Sequence, residues 1–543
     1  MRATTKLLTR LPFFVVIAAM VVLLAQTIIL NTVNPDTAAA LSITSITSEY
    51  GPVAGGQTVT ITGDFGIPDA PLEIVQIAAG TNHSIALDSE GRVFAWGHNY
   101  SGQLGNGTNI DSNAPVAVDT TGVLAGRDIV QVAAGWSHSI ALDSEGRVFA
   151  WGGNWYGGQL GNGTNIDNNV PVAVDMTGVL AGRKIVYIAA GHHYSIALDS
   201  EGNIFAWGRN GNGQLGNGMG GDWSNDWDSN VPVAVNMFGV LAGRDIVQVS
   251  AGGAHTLVLD SEGRVFAWGW NNFGQLGNGI SGTWLNSTVP VAVNMFGVLA
   301  GRDIVQVSAG SHSLALDSEG RVFAWGHNGE GQLGNGTNIH STVPVAVNMT
   351  GVLAGRNIVQ MTGGQVYTLA LDSEGNIFAW GRNTGGQLGN GMGGDWSTSW
   401  NSNIPVAVNM TGVLAGRNIV QVVAGWGHHS VALDSEGNVF AWGRNDGGQF
   451  GNCTNIGSNV PILINLGCNT PMNPIESVTL GGLPCTDIRI INRNTITCVT
   501  PAHPAGTVDV VVNTLHGSVT LYRGYTYIDI PDVPNTGHLR QDS

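Results

Sequence analysis

The chain has 543 residues, enough for more than one domain, with 80 glycines, only 11% charged residues and a formal net charge of −17. A surface with such an excess of carboxylates repels phosphate backbones, so a nucleic-acid partner is not expected. Abundant glycine with little charge is typical of many short strands that are joined by tight turns.

The first 40 residues predict export. Arg2, Lys6 and Arg10 precede an apolar run at residues 11–30, and three alanines at 38–40 form a candidate cleavage site. A run of 20 residues is long for a signal peptide and long enough to span a bilayer as a helix. Residues 1–40 are therefore predicted to be either a cleaved signal peptide or a retained membrane anchor, as in bacterial-type exported proteins.

Two separated stretches resemble the two parts of one immunoglobulin-like sandwich. Residues 42–66 contain two alternating strands around glycine and proline turns, and they are similar to the opening of an IPT/TIG domain. Residues 476–528, which include TITCVTPAH, are similar to the remainder of that domain. We assign 41–73 and 467–528 to one sandwich that is interrupted by residues 74–466. The alternative is two unrelated sandwich fragments.

The interrupting segment repeats one pattern seven times. Its first copy is HSIALDSEGRVFAWGHNYSGQL at 83–104. Short apolar runs bounded by Gly, Asn, Asp and Ser predict four strands per copy, with DSEG as a tight hairpin. Sheets of this kind bury both apolar faces only by stacking, and a closed ring leaves no end sheet exposed. The tryptophan of each AWG triplet is predicted to wedge between blades; these are Trp96, Trp151, Trp207, Trp268, Trp325, Trp380 and Trp442.

The predicted fold class is all-β, with a seven-bladed β-propeller inserted into an immunoglobulin-like sandwich. An N-terminal hydrophobic signal or anchor helix precedes it, and a flexible tail at 529–543 follows. The pattern G..HS.AL...G.V.AWG.N..GQLG.G resembles the regulator-of-chromosome-condensation repeat, whose family fold is a seven-bladed propeller. The family's chromatin and nucleotide-exchange roles are not carried over, because their residues cannot be matched here and the acidic charge opposes them.

Four cysteines lie late in the chain, and an even, clustered set in an exported protein suggests disulfides. Three pairings are open, of which we favour Cys453–Cys468 and Cys485–Cys498. The spacings do not resemble zinc sites. Asp222, Asp226 and Asp228 could meet a calcium ion, but the matching loop in the sixth copy keeps only the first of these carboxylates. No metal and no cofactor is predicted.

The tail contains VPNTG at 533–537, which is similar to a sortase cell-wall sorting signal. That signal also needs a following apolar run and a basic end, and neither follows here. Whether the tail works as a sorting signal is left open.

Because the copies are nearly identical, a binding site is expected where single copies depart from the pattern. All nine tryptophans outside the AWG positions fall in variable segments, where they offer large contact area at low entropic cost. The alternative is that they pack over loop ends. His192, His193 and Phe273 accompany them. The predicted ligand-binding residues are Trp136, Trp155, Tyr156, Trp223, Trp227, Trp270, Trp284, Trp396, Trp400 and Trp426.

These observations predict a non-enzymatic binding or scaffold protein outside the cell or on its surface. The aromatic loops would contact a protein or glycan, and residues 11–30 would hold the membrane if they are not cleaved. One alternative is a polysaccharide-acting propeller enzyme that uses His192, His193 or His428 as an acid–base group. Another is a guanine-nucleotide-exchange-type regulator by family analogy, which the export signal and the acidic charge oppose.

Overall fold

The computed structural model describes residues 42–64, 73–223, 227–394, 400–464, 475–492, 495–514 and 517–529. These residues form two compact units made of strands and short 3-10 turns. The predicted signal or anchor segment at 11–30 and the tail from residue 530 lie outside the described residues. Within the described ranges, no helix has the length and apolar character needed to cross a membrane.

The first described strands belong to the smaller unit, and the strands of the larger unit follow them. The smaller unit begins with β1 (Ser42–Thr47), β2 (Tyr50–Pro52) and β3 (Thr58–Asp64). Blades 1 to 3 of the larger unit are β4 (Ile74–Ala79), β5 (His83–Asp88), β6 (Val93–Gly97), β7 (Ser112–Ala117); β8 (Ile129–Ala134), β9 (His138–Asp143), β10 (Val148–Gly152), β11 (Asn168–Ala173); and β12 (Ile185–Ala190), β13 (Tyr194–Asp199), β14 (Ile204–Gly208), β15 (Ser229–Ala234).

Blades 4 to 7 repeat this arrangement. They are β16 (Ile246–Ala251), β17 (His255–Asp260), β18 (Val265–Gly269), β19 (Ser287–Ala292); β20 (Ile304–Ala309), β21 (His312–Asp317), β22 (Val322–Gly326), β23 (Ser341–Ala346); β24 (Ile358–Gly363), β25 (Tyr367–Asp372), β26 (Ile377–Gly381), β27 (Ser402–Ala407); and β28 (Ile419–Ala424), β29 (His429–Asp434), β30 (Val439–Gly443), β31 (Ser458–Leu463). Each blade is an antiparallel sheet of four consecutive strands.

The first strands of the seven blades lie side by side around a central channel, and β28 of blade 7 contacts β4 of blade 1. Hydrogen bonds across this last joint close the ring: the Gln421 side chain bonds to both the backbone N–H and the carbonyl of Ile77, at 2.9 and 3.0 Å. Gln76 makes the same pair of bonds to Val132 at the joint between blades 1 and 2. The predicted seven-bladed propeller is therefore confirmed.

The AWG tryptophans fill the joints between neighbouring blades. All seven are at most 1% exposed, which explains why the residue recurs in every copy. Trp151 Nε1 donates to the carbonyl of Gln103 in blade 1 at 3.0 Å, and Trp96 Nε1 donates to Gln449 in blade 7 at 2.9 Å. The indole thus buries its ring and satisfies its N–H in the same contact. Their predicted structural role is confirmed.

A second ring of contacts joins the blades near the channel. His83 Nε2 lies 3.1 Å from Ser139 Oγ of the next blade, and His429 Nε2 lies 3.2 Å from Ser84 Oγ across the closing joint. Blades 3 and 6 have tyrosine at this place, and the Tyr194 hydroxyl donates to the His255 carbonyl at 2.7 Å. Burial lowers the pKa of these ring histidines to about 3, so they are neutral; they are His83, His138, His255, His312 and His429.

The smaller unit is a β-sandwich whose two sheets combine strands from both ends of the described chain. Its later strands are β32 (Ile475–Leu480), β33 (Leu483–Pro484), β34 (Thr486–Asn492), β35 (Thr495–Val499), β36 (Gly506–Thr514) and β37 (Gly517–Ile528). One sheet has the order β1-β3-β35-β34 and the other β2-β37-β36-β32-β33. Because β3 pairs with β35 and β2 with β37, the two stretches form one sandwich, as predicted, and not two unrelated fragments.

The cysteines correct part of the sequence prediction. Cys485 and Cys498 are free thiols in the sandwich core, so the predicted disulfide between them is wrong for this structure. The two side chains are nevertheless in contact through a hydrogen bond, which raises the pKa of the Cys498 thiol together with its burial. The spacing of the cysteines indicated which two would be neighbours, but it does not determine whether they are oxidised. Cys453 is disulfide-bonded, and its predicted partner Cys468 lies outside the described residues.

Candidate functional site

The topology of the blades places the loops that carry the predicted ligand-binding aromatic residues on one face of the ring. In a four-stranded antiparallel sheet, the first and third connections leave the same edge, and the hairpin between the middle strands leaves the opposite edge. We call the first connections the inner loops, the third connections the outer loops, and their common side the upper face. Every described tryptophan of the predicted ligand-binding set lies in an inner or an outer loop.

The inner loops differ in every blade, although the strands around them are nearly identical. From blade 1 to blade 7 they read TN, WS, HH, GA, S, QV and WGH, at residues 81–82, 136–137, 192–193, 253–254, 311, 365–366 and 426–428. Blade 5 is one residue shorter and blade 7 one residue longer than the rest. These loops surround the mouth of the channel, so the least repetitive part of the propeller lies at its centre.

A cavity of about 380 Å³ opens on the upper face and is lined by residues of blades 2 to 7. Its walls are mainly aromatic and come from both inner and outer loops. The aromatic and charged lining residues are Trp136, His192, His193, Arg209, Trp223, His255, Trp270, Phe273, His327 and Trp426. A concave, mostly apolar site with a few polar groups is the usual form of a ligand pocket.

Trp426 closes the centre of the channel mouth. It belongs to blade 7, yet its ring centroid lies 4.1 Å from that of His192 in blade 3. A Cβ atom on Gly253 of blade 4 would lie only 3.3 Å from the Trp426 ring. The Trp426 side chain is 6% exposed, which matches the alternative that these tryptophans pack over loop ends. The extra residue in its inner loop is the feature that distinguishes this loop from the other six.

A row of rings leads from Trp136 outward along blades 2 and 3. The centroid of the His193 ring lies 4.5 Å from that of the Trp136 ring and 4.7 Å from that of the Tyr156 ring. Trp155 stacks on Tyr156 with 6.3 Å between centroids and is itself 79% exposed. The structure therefore brings together four predicted aromatic or histidine residues at one joint.

The histidines of the cavity are neutral near pH 7. Burial lowers the pKa of His192 to about 4 and that of His193 to about 3, and the nearby Arg209 guanidinium adds to both shifts. His193 is 6% exposed, and its Nδ1 has no hydrogen-bond partner among the described residues. The cavity wall thus presents one permanent positive charge, that of Arg209.

The other predicted residues are distributed around this cavity. Trp223 lines it in the left-handed backbone region, with φ of 67°, a conformation that costs free energy for a residue with a side chain. Trp270 also lines it, half-buried, with its ring 5.5 Å from Phe273. Trp227, Trp284 and Trp400 are exposed and do not line it, and Trp396 lies outside the described residues.

A second, more polar cavity of about 560 Å³ lies beside the first. Its lining residues are Trp155, Tyr156, Gly157, Asn165, Arg209, Asp228, Ser229 and Asn230. Arg209 lines both cavities, and the Tyr156–His193 contact joins their walls. We call the two together the blade 2–3 groove.

Sequence reasoning missed the polar members of this site. Arg209 follows the AWG triplet, at a position where the copies have His, Gly, Arg, Trp, His, Arg and Arg. Gln365 and Val366 form the inner loop of blade 6 and also line the first cavity. The signal was present, because both positions vary from copy to copy, but only the aromatic departures were selected.

The first cavity contains some, but not all, of the acid–base candidates of the enzyme alternative. His428 does not line the first cavity, whereas His192 and His193 do, so these acid–base candidates are not all brought together. None of the described residues that line this cavity is a carboxylate. Over the described ranges, no group of three histidine, cysteine or acidic side chains could hold a metal ion, and Asp226 of the calcium hypothesis lies outside them.

Comparison with known families assigns the repeat. A family model of the RCC1-like domain matches residues 55–391, which is more than half of the chain. The chain belongs to the RCC1-like domain family. Models of the RCC1 repeat also match 374–433, 436–483 and 419–449, and the IPT/TIG domain matches 473–527.

The RCC1-like propeller has relatives with diverse names. It is 34% identical over 396 residues to the ultraviolet-B receptor UVR8 of Arabidopsis thaliana, covering 73% of this chain and 82% of the receptor. The human E3 ubiquitin-protein ligase HERC2 is 33% identical over 366 residues, or 66% of this chain and 7% of the ligase. The structure of Prp20p from Saccharomyces cerevisiae, whose binding to Gsp1p and histones is described, matches 80% of this chain and 93% of that chain. Its TM-score is 0.58 at 24% identity, so the likeness concerns the fold.

Proposed function

We propose that this protein is an exported, surface-associated binding protein without enzymatic activity, which uses the upper face of its RCC1-like propeller to hold a partner protein. The sandwich serves as a spacer between the propeller and the N-terminal segment. In this proposal residues 11–30 direct export and, if retained, anchor the protein in the membrane.

One observation carries the proposal: the seven copies differ mainly on the upper face, and there the differences build an aromatic-lined cavity. Contacts within the joints require the same residues in every blade. They therefore explain the residues that recur in all copies, but not the residues that differ between copies. Three described non-glycine residues of this face, Trp223, His428 and Cys453, have positive φ values of 67°, 68° and 60°. Strained backbone of this kind is held in place by its surroundings and is common at functional sites.

A protein partner is favoured over a glycan for two reasons. First, Prp20p, which shares the fold, is described with protein partners, Gsp1p and histones. Second, the first cavity offers aromatic walls with few polar groups, which suits apolar side chains of an interface better than hydroxyl-rich rings. The exposed rings of Trp155 and Trp284 add contact area around it.

The experiment is capture of surface proteins by the purified full chain, with a glycan array as a parallel arm. We expect the Trp136→Ala and Trp223→Ala double variant to lose capture at least tenfold, because both rings line the cavity. The control is the double variant Phe238→Thr and Phe296→Thr, which changes two exposed rings in connections on the opposite face.

Three results would contradict the proposal. Undiminished capture by the tryptophan variant would exclude the upper face. Binding only on the glycan array would replace the protein partner with a carbohydrate. Turnover of a polysaccharide that disappears in the His193→Ala variant would establish the enzyme alternative.

A further inference from the structure

We propose that the blade 2–3 groove binds a peptide segment that places an apolar side chain in the first cavity and a carboxylate against Arg209. This inference rests on the proposed function and specifies the chemistry of the partner. The occupant is a segment of a partner protein, and the carboxylate is either its C-terminus or an acidic side chain next to the apolar residue.

The apolar side chain follows from the walls of the first cavity. Trp136, Trp223, Trp270, Phe273 and Trp426 contribute rings from blades 2, 3, 4 and 7, so an occupant meets aromatic surface on several sides. Burying an apolar side chain there removes its surface from water and brings no polar atom of its own that needs a partner. A sugar ring would bury several hydroxyl groups, and each one left without a partner costs about 1–3 kcal/mol.

The carboxylate follows from the charge of the wall. Arg209 forms no ion pair with any described carboxylate within 4 Å, although the protein carries a net charge of −17. Asp228 lines the second cavity with it, and the Asp228 carboxylate already accepts the backbone N–H of Asn210 at 2.6 Å. A guanidinium at the edge of an apolar cavity binds a planar carboxylate through paired hydrogen bonds.

The segment character of the ligand follows from the second cavity. It continues the first one toward the outer strands of blades 2 and 3, past Arg209, and its lining is polar. Asn165, Ser229 and Asn230 there can donate to or accept from a peptide backbone. A chain could therefore enter over the polar end and place its anchor in the aromatic end.

Blade 6 supplies an internal control for Arg209. Its outer loop has the same Arg-Asn start as that of blade 3, with Arg382 at the equivalent position. The Arg382 Nε donates to Thr384 Oγ1 at 2.9 Å, and Arg382 lines neither cavity of the groove. The two arginines therefore share local sequence but differ in what surrounds them.

The test uses N-acetyl-phenylalanine and N-acetyl-phenylalanine amide, which differ only in the carboxylate, with methyl galacturonoside as a carbohydrate carboxylate. Binding to the purified full chain is measured by saturation-transfer NMR and by titration of the tryptophan fluorescence. We expect the acid to bind at least tenfold more tightly than the amide. Arg209→Gln should abolish this preference, and Arg382→Gln should preserve it. Trp136→Ala should weaken both phenylalanine probes at least fivefold.

The inference is overturned if the acid and the amide bind equally, or if the two arginine variants lose the preference equally. It is also overturned if methyl galacturonoside binds more tightly than N-acetyl-phenylalanine. Thermal unfolding of both arginine variants verifies that they are folded. If the probes fail while surface-protein capture still depends on Trp136 and Trp223, the proposed function stands and only the peptide inference falls.

Discussion

The joints between the blades and the upper face of the ring follow opposite rules. At the joints, the same tryptophan, histidine or tyrosine, and serine or threonine contacts recur from blade to blade and across the closing joint. On the upper face, no two inner loops have the same sequence. The joints therefore show what the ring needs in order to close, and the upper face shows what remains free to vary.

In a repeat protein, a binding site can be located from one sequence by separating the residues that recur from those that do not. A residue that recurs in all copies is explained by stacking, because every blade must present the same surface to its neighbour. A residue that appears once has no such explanation. The first cavity is lined largely by residues that are not shared by all copies, including Trp136, His192 and Trp426.

The largest effect is expected from breaking a joint. Trp268→Ala removes a fully buried ring and its hydrogen bond to the Gln214 carbonyl, so the free energy of unfolding should fall by about 3–5 kcal/mol. Trp284→Ala, in an exposed outer loop of the same blade, should change it by less than about 0.5 kcal/mol. Denaturant unfolding measures both. Equal losses of unfolding free energy in the two variants would show that the joint tryptophan contributes no more to stability than the exposed one.

Acid should weaken the joints. The ring histidines have pKa values of about 3 in the folded protein and about 6.5 when unfolded. The unfolded chain therefore binds more protons below pH 6.5, and stability should fall as the pH drops from 6.5 toward 3. Each histidine contributes about 1.4 kcal/mol per pH unit in this window.

The matched variant for acid sensitivity is His255→Tyr, the residue that blades 3 and 6 have at this place. Its midpoint temperature should depend less steeply on pH below 6.5 than that of the unaltered chain. An unchanged slope would mean that His255 does not stay neutral in the folded state.

A smaller effect is expected where an upper-face residue also packs. Trp426→Ala should cost about 1–3 kcal/mol, less than Trp442→Ala in the same blade, because the Trp426 ring closes a mouth and does not fill a joint. Thermal unfolding compares the two variants. A larger loss of stability in Trp426→Ala than in Trp442→Ala would show that the centre of the upper face stabilises the ring as strongly as a joint does.

The smallest effect is expected on the lower face. Phe238→Thr and Phe296→Thr introduce the residue that stands at Thr121, Thr177, Thr350 and Thr411 in other copies. Phe238 is 85% exposed, so the unfolding free energy should change by less than about 0.5 kcal/mol. A larger loss, measured by denaturant unfolding, would reveal packing on that face.

Much of the fold was predictable because the repeat shows directly how many strands each unit has and which faces must be buried. The AWG spacing indicated four-stranded units, and their two apolar faces required a ring. The split sandwich was predictable from two matching fragments. The state of Cys485 and Cys498 was not, because spacing limits which sulfurs can meet but not whether they are oxidised.

The site was predictable only in part. Trp136, Trp223 and Trp426, which the variability of their segments selects, all line the first cavity, and Trp426 is buried in agreement with the loop-end packing alternative. Its inward position depends on Gly253, three blades away along the chain, which leaves room for the ring. Contacts across a channel join residues that are far apart in the sequence, so the repeat pattern does not predict them.

The order of strands has one mechanical consequence. Every blade is built from a single continuous stretch, and among the described strands none from the far end of the chain completes blade 1 or joins it to blade 7. The tie is made elsewhere: both ends of the propeller run into one β-sandwich, whose sheets need β1 to β3 and β32 to β37 together. Because both ends of the propeller segment continue into this one sandwich, blades 1 and 7 are tethered to each other by a second route besides the chain of blades, which raises their effective concentration at the last joint.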